Sequence, residues 1–235
     1  MRVSTGVDGI DQLIEGGLPA GRLYVISGPP GSGKTTLTAQ FLTEGARQQD
    51  KCLFISMHET QDELVDDMST FEFPFRKVVN SNFVNFIDAT DRDINSLLSK
   101  FGGRSHQTGV DSLGNYIVGF IESNDVDRVV IDSTMILEYL LGDEDGADIT
   151  RFLTNLKRTD ATILLISEMT DPTAYTNEHY LAHGVIFMHN FLQESGMIRG
   201  MQVLKMRGTA IDTDIHPLEF THRGLAVDPD RSVTQ

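Results

Sequence analysis

Eight consecutive residues, Gly28-Pro29-Pro30-Gly31-Ser32-Gly33-Lys34-Thr35, set three glycines, an ammonium group and a hydroxyl at the spacing Gly-x-x-x-x-Gly-Lys-Ser/Thr. A chain with that spacing can wrap a row of phosphates. Gly28, Gly31 and Gly33 permit backbone conformations closed to residues with a Cβ, so successive N–H groups turn inward on phosphate oxygens at a helix N-terminus. Lys34 is then placed to reach the β- and γ-phosphates, and Thr35 to offer its hydroxyl to Mg²⁺. Pro29, Pro30 and Ser32 complete the loop, and Thr36 stands beside it at the helix start. The chemistry expected is nucleotide binding with a metal ion.

Further candidates lie downstream. Asp132 ends the apolar run Arg128-Val129-Val130-Ile131-Asp132, and a carboxylate at the carboxyl end of a strand beside a phosphate loop suits a second Mg²⁺ anchor. A helix cap is the plainer reading of the same residue. Glu59 stands just past the run that ends in Ser56, where it can orient or deprotonate a water that attacks a γ-phosphate. His58 beside it either modulates that carboxylate or caps a loop. Ser167 closes the run from Thr162 and serves either the γ-phosphate or the interior. Lys205 and Arg207 are two apart in an expected strand, so they leave one face while Leu204 and Met206 leave the other. Such a cation pair in an acidic chain calls for an anionic partner, or belongs to ordinary surface ion pairs.

The elements that must position these groups follow from hydrophobic patterning. Arg22 to Ser27 reads as the strand before the phosphate loop, and Lys34 to about Gln48 as the helix after it, with Leu37, Phe41 and Leu42 inward. Val7, Ile10, Leu13 and Ile14 have helical spacing and predict a short cap beside the nucleotide strand. Strands are expected at Cys52–Ser56, Phe83–Asp88, Arg128–Asp132 and Thr162–Ser167. Helices are expected over Gln61–Met68, around Val110, Leu113, Ile117, Phe120 and Ile121, and around Ile149, Phe152, Leu153 and Leu156. Phe71, Phe73 and Phe75 read as aromatic anchors of a loop, and the polar stretch from Thr90 to Gln107 is expected to be mobile. Apolar strands alternating with amphipathic helices specify an α/β fold with a mainly parallel sheet flanked by helices. Beyond His183, the runs Val185–Asn190, Met201–Arg207 and Leu218–Thr221 follow without helices, so a C-terminal antiparallel extension is expected at the sheet edge.

Composition narrows the function classes. The 235 residues suit one domain spanning 1–235, with no linker or repeat. Asp and Glu number 34 against 19 Lys and Arg, a formal net charge of −15, which repels nucleic acid and anionic lipid. So much acid with only six lysines is tolerated best in concentrated salt, where the Debye length falls to about 3 Å at 1 M, and this points to a halophilic source. The single cysteine, Cys52, opens an apolar run and suggests a buried thiol in a reducing cytoplasm. Met135–Leu141 is interrupted by a glutamate and too short to span a bilayer. A cytoplasmic protein is expected.

Taken in order, Gly6-Val7-Asp8-Gly9-Ile10-Asp11, Gly16-Gly17-Leu18-Pro19-Ala20-Gly21, the phosphate loop, Phe54–Thr60, Arg128–Ser133 and Lys205-Met206-Arg207-Gly208-Thr209 resemble a single KaiC-type ATPase domain of the RecA/RadA P-loop group, of the archaeal single-domain kind. The resemblance implies a RecA-like fold, ATP and Mg²⁺, and assembly into a homo-oligomeric ring, usually hexameric, with nucleotide held between subunits. It implies that Lys205 and Arg207 reach a neighbour's nucleotide, and that slow hydrolysis switches the ring or an unidentified protein partner between states. Two departures stand out. Clock members of the family carry paired glutamates where this chain has His58-Glu59, so only the second carboxylate is kept. Their adjacent Ser-Thr phosphoacceptors fall near His179-Tyr180, although Thr173, Tyr175 and Thr176 share that loop, so autophosphorylation does not carry over with the resemblance. A RadA-like recombinase that binds DNA and a non-hydrolysing ATP-bound scaffold remain as alternatives, the first disfavoured by the acidity.

Replacing Lys34 with alanine removes the only cation of the loop. Calorimetry of Lys34→Ala is expected to show no ATP binding in a protein whose circular dichroism is unchanged.

Overall fold

A computed structural model describes residues 1–90, 96, 110–134, 147–193 and 196–233. Most of the 90–107 stretch and all of Met135–Leu141 lie outside these.

Six strands form the parallel part of the sheet: β3 (Leu23–Gly28), β4 (Cys52–Ser56), β5 (Val84–Asp88), β6 (Arg128–Asp132), β7 (Thr162–Glu168) and β8 (Gly184–Gln193). Antiparallel β9 (Gly196–Met206), β10 (His216–Thr221) and β11 (Gly224–Val227) extend one edge, giving the order β11-β10-β9-β8-β3-β7-β6-β4-β5. A separate pair, β1 (Arg2–Val3) and β2 (Leu18–Pro19), lies outside it. The α/β class with a C-terminal antiparallel extension is the one expected. The extension is larger than the sequence suggests: β8 and β9 form a ribbon reaching Leu192 and Met197, both exposed.

Strand β3 is buried along its whole length, which its uninterrupted apolar sequence requires. Its residues divide by parity. Tyr24 and Ile26 pack with Leu37 and Phe41 of α2 (Lys34–Arg47) and with Leu64 of α3 (Gln61–Met68). Leu23 and Val25 pack with Leu113 and Ile117 of α5 (Val110–Ser123) and with Phe152 of α6 (Ala147–Leu156). Helices thus cover both faces.

Three local expectations change. Phe71 and Phe73 do anchor a loop, stacked with ring centroids 5.4 Å apart, but Phe75 opens a short helix, α4 (Phe75–Val79), because Pro74 supplies a fixed φ at its start. The N-terminal helix α1 (Asp8–Leu13) rests on β11 instead of beside β3. A Cβ at Gly9 would come within 2.0 Å of Val227 O, so the absence of a side chain there permits the contact. A further short helix, α7 (Asn177–Leu181), lies where the sequence shows no period. Cys52 is buried as expected, and burial pushes its thiol pKa up to about 12.

Arg128, at the start of β6, is only 1% exposed. Its Nε donates to Asp50 Oδ2 at 2.6 Å, Nη1 to Ser4 O at 2.9 Å and Phe41 O at 3.0 Å, and Nη2 to Gln48 Oε1 at 3.1 Å. The guanidinium lies 4.8 Å from the Phe41 ring centre. One side chain therefore ties the amino end of β6 to α2 and to the N-terminal segment. Arg128→Leu strands these acceptors and is expected to lower unfolding free energy by about 3–5 kcal/mol in denaturant titration, as loss of one member of a buried ion pair does.

Candidate nucleotide-binding site

The phosphate loop joins β3 to α2 at the carboxyl end of the parallel strands. Gly33 takes φ 106° as N-cap, and the first turn of α2 holds no acidic residue and no side-chain cap. That helix start is open to an anion. By contrast, Thr60 and Glu63 close α3 with a reciprocal capping box. Gly28 passes so close to β8 that a Cβ would meet Met188 O at 2.3 Å. Ser32 Oγ is buried with no hydrogen-bond partner among the described residues, in a loop whose backbone would cradle phosphate. The donor set fits a nucleotide polyphosphate. Lys34 Nζ donates to Gly28 O at 2.8 Å and Pro29 O at 3.0 Å. Burial pushes its pKa below the usual lysine value, while Glu168 and Asp132 oppose that shift.

Asp132 is buried at the end of β6. Burial raises its pKa, while His58, Lys34 and the Thr35 side chain, close enough to act on the carboxyl, lower it. The two side chains expected to hold Mg²⁺ therefore meet. The described residues contain no group of three or more His, Cys, Asp or Glu arranged for a metal, and Mg²⁺ does not require one, since it keeps waters and substrate oxygens in its shell. His58 Nε2 lies 2.9 Å from Ser133 Oγ, which sets the imidazole on the Asp132 side of the site.

Glu59 lines a cavity of about 240 Å³ together with Gly31, Gly33, Lys34, Thr35 and Asp67. Its carboxyl pKa is raised, first by burial and then by Asp67, Asp132 and Glu63, with His58 opposing. A carboxylate of raised pKa beside a phosphate loop is a better proton acceptor than an exposed one. Ser167 faces inward, donating to Glu178 Oε1 at 2.8 Å.

Lys205 and Arg207 are not brought to this cavity. Lys205 pairs with Val185, near the amino end of β8, so both cations lie at the opposite end of the sheet from the loop. The face assignment changes as well. A register shift at Val185/Ile186 breaks the alternation of β9, so Leu204 packs with the α5 and α6 layer and Met206 with the α2 layer. Strand β9 ends at Met206, and Arg207 is the first residue beyond it. The two cations still converge, since Lys205 Nζ reaches Tyr180 O at 3.0 Å and Arg207 Nη2 reaches it at 3.2 Å. Arg207 also lines a cavity of about 230 Å³ with Arg22, Lys157 and His183. Arg2, Arg47, Arg76 and Arg128 each pair with a carboxylate. Arg22, Lys157, Lys205 and Arg207 have no carboxylate partner among the described residues.

Several neighbours of the loop escape sequence reading. Asn190 Nδ2 donates to Pro30 O at 3.3 Å and Arg199 Nε to Gly31 O at 3.4 Å, both from the β8–β9 ribbon. The Arg199 guanidinium lies 5.0 Å from the Phe220 ring centre. No motif marks these residues, because antiparallel folding of the ribbon brings them in. Glu168, which acts on both Lys34 and Asp132, had a signal in its position at a strand end.

Comparison with known proteins agrees with this geometry. The family model described as "ATPase: KaiC" matches residues 3–232. The circadian clock oscillator protein KaiC of Parathermosynechococcus lividus is 27% identical over 233 residues, covering 96% of this chain and 42% of that protein. The chain thus spans less than half the length of such clock relatives. A UPF0273 protein of Aeropyrum pernix is 27% identical over 238 residues, covering 99% of this chain and 95% of the relative. The crystal structure of a KaiC-like protein from the archaeon Pyrococcus horikoshii OT3 superposes with a TM-score of 0.81 at 27% identity, covering 97% of this chain and 99% of the other.

Glu59→Gln keeps shape and removes the proton acceptor. It is expected to bind ATP normally and hydrolyse it at least ~10²-fold more slowly, the scale of a general-base contribution. A base works only when deprotonated, and the Glu59 pKa is raised. The acid limb of the wild-type rate profile should therefore set in at higher pH than an exposed glutamate would give, and vanish in the variant.

Proposed function

This chain belongs to the KaiC family of ATPases, and on that premise we propose that it binds ATP with Mg²⁺, hydrolyses it slowly, and works as a nucleotide-dependent switch in a homo-oligomer. The observation that carries the reading is that Asp132, at the end of β6, and Glu59, just past the neighbouring β4, come together beside Thr35 and the phosphate loop. In this reading the loop backbone and Lys34 hold the phosphates, and Thr35 and Asp132 hold the metal. ATP supplies a terminal phosphoryl group that can pass to water. Glu59 orients that water and takes its proton, while His58 and Lys34 oppose the rise that burial imposes on the Asp132 pKa. The loss of the first of two glutamates, replaced by His58, supports slow turnover.

Lys205 and Arg207 support the oligomer. They lie too far from their own loop to serve it, they have no carboxylate partner among the described residues, and in a second subunit they would supply cations to its nucleotide. Two different surfaces meet in such a contact, which makes it head-to-tail and able to close a ring, of six subunits in this proposal. A net charge of −15 favours a protein partner over nucleic acid. No described helix is long and apolar enough to cross a membrane, and we place the protein in the cytoplasm.

The test is subunit mixing. Lys34→Ala subunits lack the loop cation and Arg207→Ala subunits lack the donated one, so each is expected to be inactive alone. In mixed assemblies an Arg207→Ala subunit can use the arginine of a Lys34→Ala neighbour, and partial ATPase activity should return. Inactivity at every ratio, with co-assembly shown by sedimentation, would refute donation between subunits.

A further inference from the structure

Ser27, Ser167, Glu178 and His179 hold neither phosphate nor metal in this reading, yet all four are buried. Polar groups persist in an apolar interior only when paired, and these are paired in a definite direction. His179 Nδ1 accepts from the Thr176 backbone N–H at 3.2 Å and lies 2.6 Å from Thr176 Oγ1. The ring proton is therefore on Nε2, which donates to Ser27 Oγ at 2.7 Å. Burial also pushes the imidazole pKa below its usual value, in keeping with a neutral ring. Beside it, Glu178 Oε1 accepts from Ser167.

The same residue is held from its other side. His179 O accepts from Lys205 Nζ at 2.9 Å, and the next carbonyl, Tyr180 O, accepts from both Lys205 and Arg207. Ser27 immediately precedes Gly28, whose carbonyl takes the Lys34 ammonium. One ring and two successive carbonyls therefore connect the start of the phosphate loop to the two cations at the far end of the sheet. Helix α7 is five residues long, short enough to move as a rigid piece between these attachments.

We propose that His179 is a positioning residue that ties the phosphate loop to the Lys205–Arg207 pair, its ring holding Ser27 and its carbonyl holding Lys205, so that a shift of the loop on taking up phosphate moves the cations offered to the neighbouring subunit. The inference rests on the reading that those cations serve a neighbour's nucleotide. It supplies a contiguous two-ended contact of the kind that can carry coupling between sites.

A double-mutant cycle tests it. Ser27→Ala is expected to keep ADP affinity within about twofold and to slow saturated turnover ~tenfold, within the range of typical site-to-site coupling. In a Lys205→Ala background the same change should have a clearly smaller effect, because His179 O then holds no cation and only Arg207 on Tyr180 O remains. His179→Gln, which keeps a donor toward Ser27, should retain most of the rate that His179→Leu loses. Multiplying effects of Ser27→Ala and Lys205→Ala, or wild-type turnover in Ser27→Ala, would overturn the proposal. If His179→Leu does not fold, the Ser27 cycle decides alone. If Lys205→Ala itself turns over at the wild-type rate, the reading of the cations fails, and hydrogen exchange then judges the tie separately. ADP should change amide exchange across Lys205–Thr209 in the wild type and leave it unchanged in Ser27→Ala. Exchange that ignores ADP in the wild type, or responds equally in both, overturns the tie.

Discussion

The site depends on the hydrogen-bonded register of four parallel strands. Pairing sets Gly28 of β3 opposite Glu168 of β7, Asp132 of β6 opposite Ile166 of β7, and Ser56 of β4 opposite Asp132. Because β6 and β4 end level with each other and β3 ends only two residues further along β7, the loop after β3, the carboxylate closing β6 and the turn after β4 open into one crevice. A slip by one residue in any pair would turn every side chain of that strand to the other face. The burial of both faces forbids it, since each parity of β3 is already committed to a different helical layer.

Within that frame, charge is arranged against the surroundings. The chain carries an excess of acid, yet its carboxylates at the site are kept few and partly desolvated, and Lys34 is buried among them. The Lys34 ammonium is satisfied by carbonyls of its own loop, which keeps a buried cation paired. At the other end of the strands four cations lie without carboxylates among the described residues, three of them resting on the carbonyls of residues 179 to 181.

The buried polar contacts differ in extent. Arg128 binds four acceptors and a ring, and serves to join elements that the apolar core alone would leave free to slide. The Ser27–His179 contact is smaller and joins the end of β3 to α7. Each is directional, as apolar packing is not.

Much of this was legible in the residues themselves. The phosphate loop announces itself because its chemistry is local: glycines, lysine and threonine must be adjacent in sequence to be adjacent in space. Five of the six parallel strands are legible because burial on both faces leaves runs such as Cys52–Ser56 and Arg128–Asp132 almost wholly apolar, and Asp132 and Glu59 follow as polar residues at or just past their ends; Val185–Asn190 reads as part of the antiparallel extension, whereas β8 pairs parallel with β3. The antiparallel ribbon was seen in outline, but its length, its bulge and the face taken by Met206 were not, because alternation is lost where two residues oppose one. The short helix α7 was missed because five residues carry no period. His179, Ser27, Glu178, Asn190, Arg199 and Arg128 were invisible for a common reason. Each acquires its role from a partner many positions away, and only the folded sheet decides which distant donor meets which acceptor.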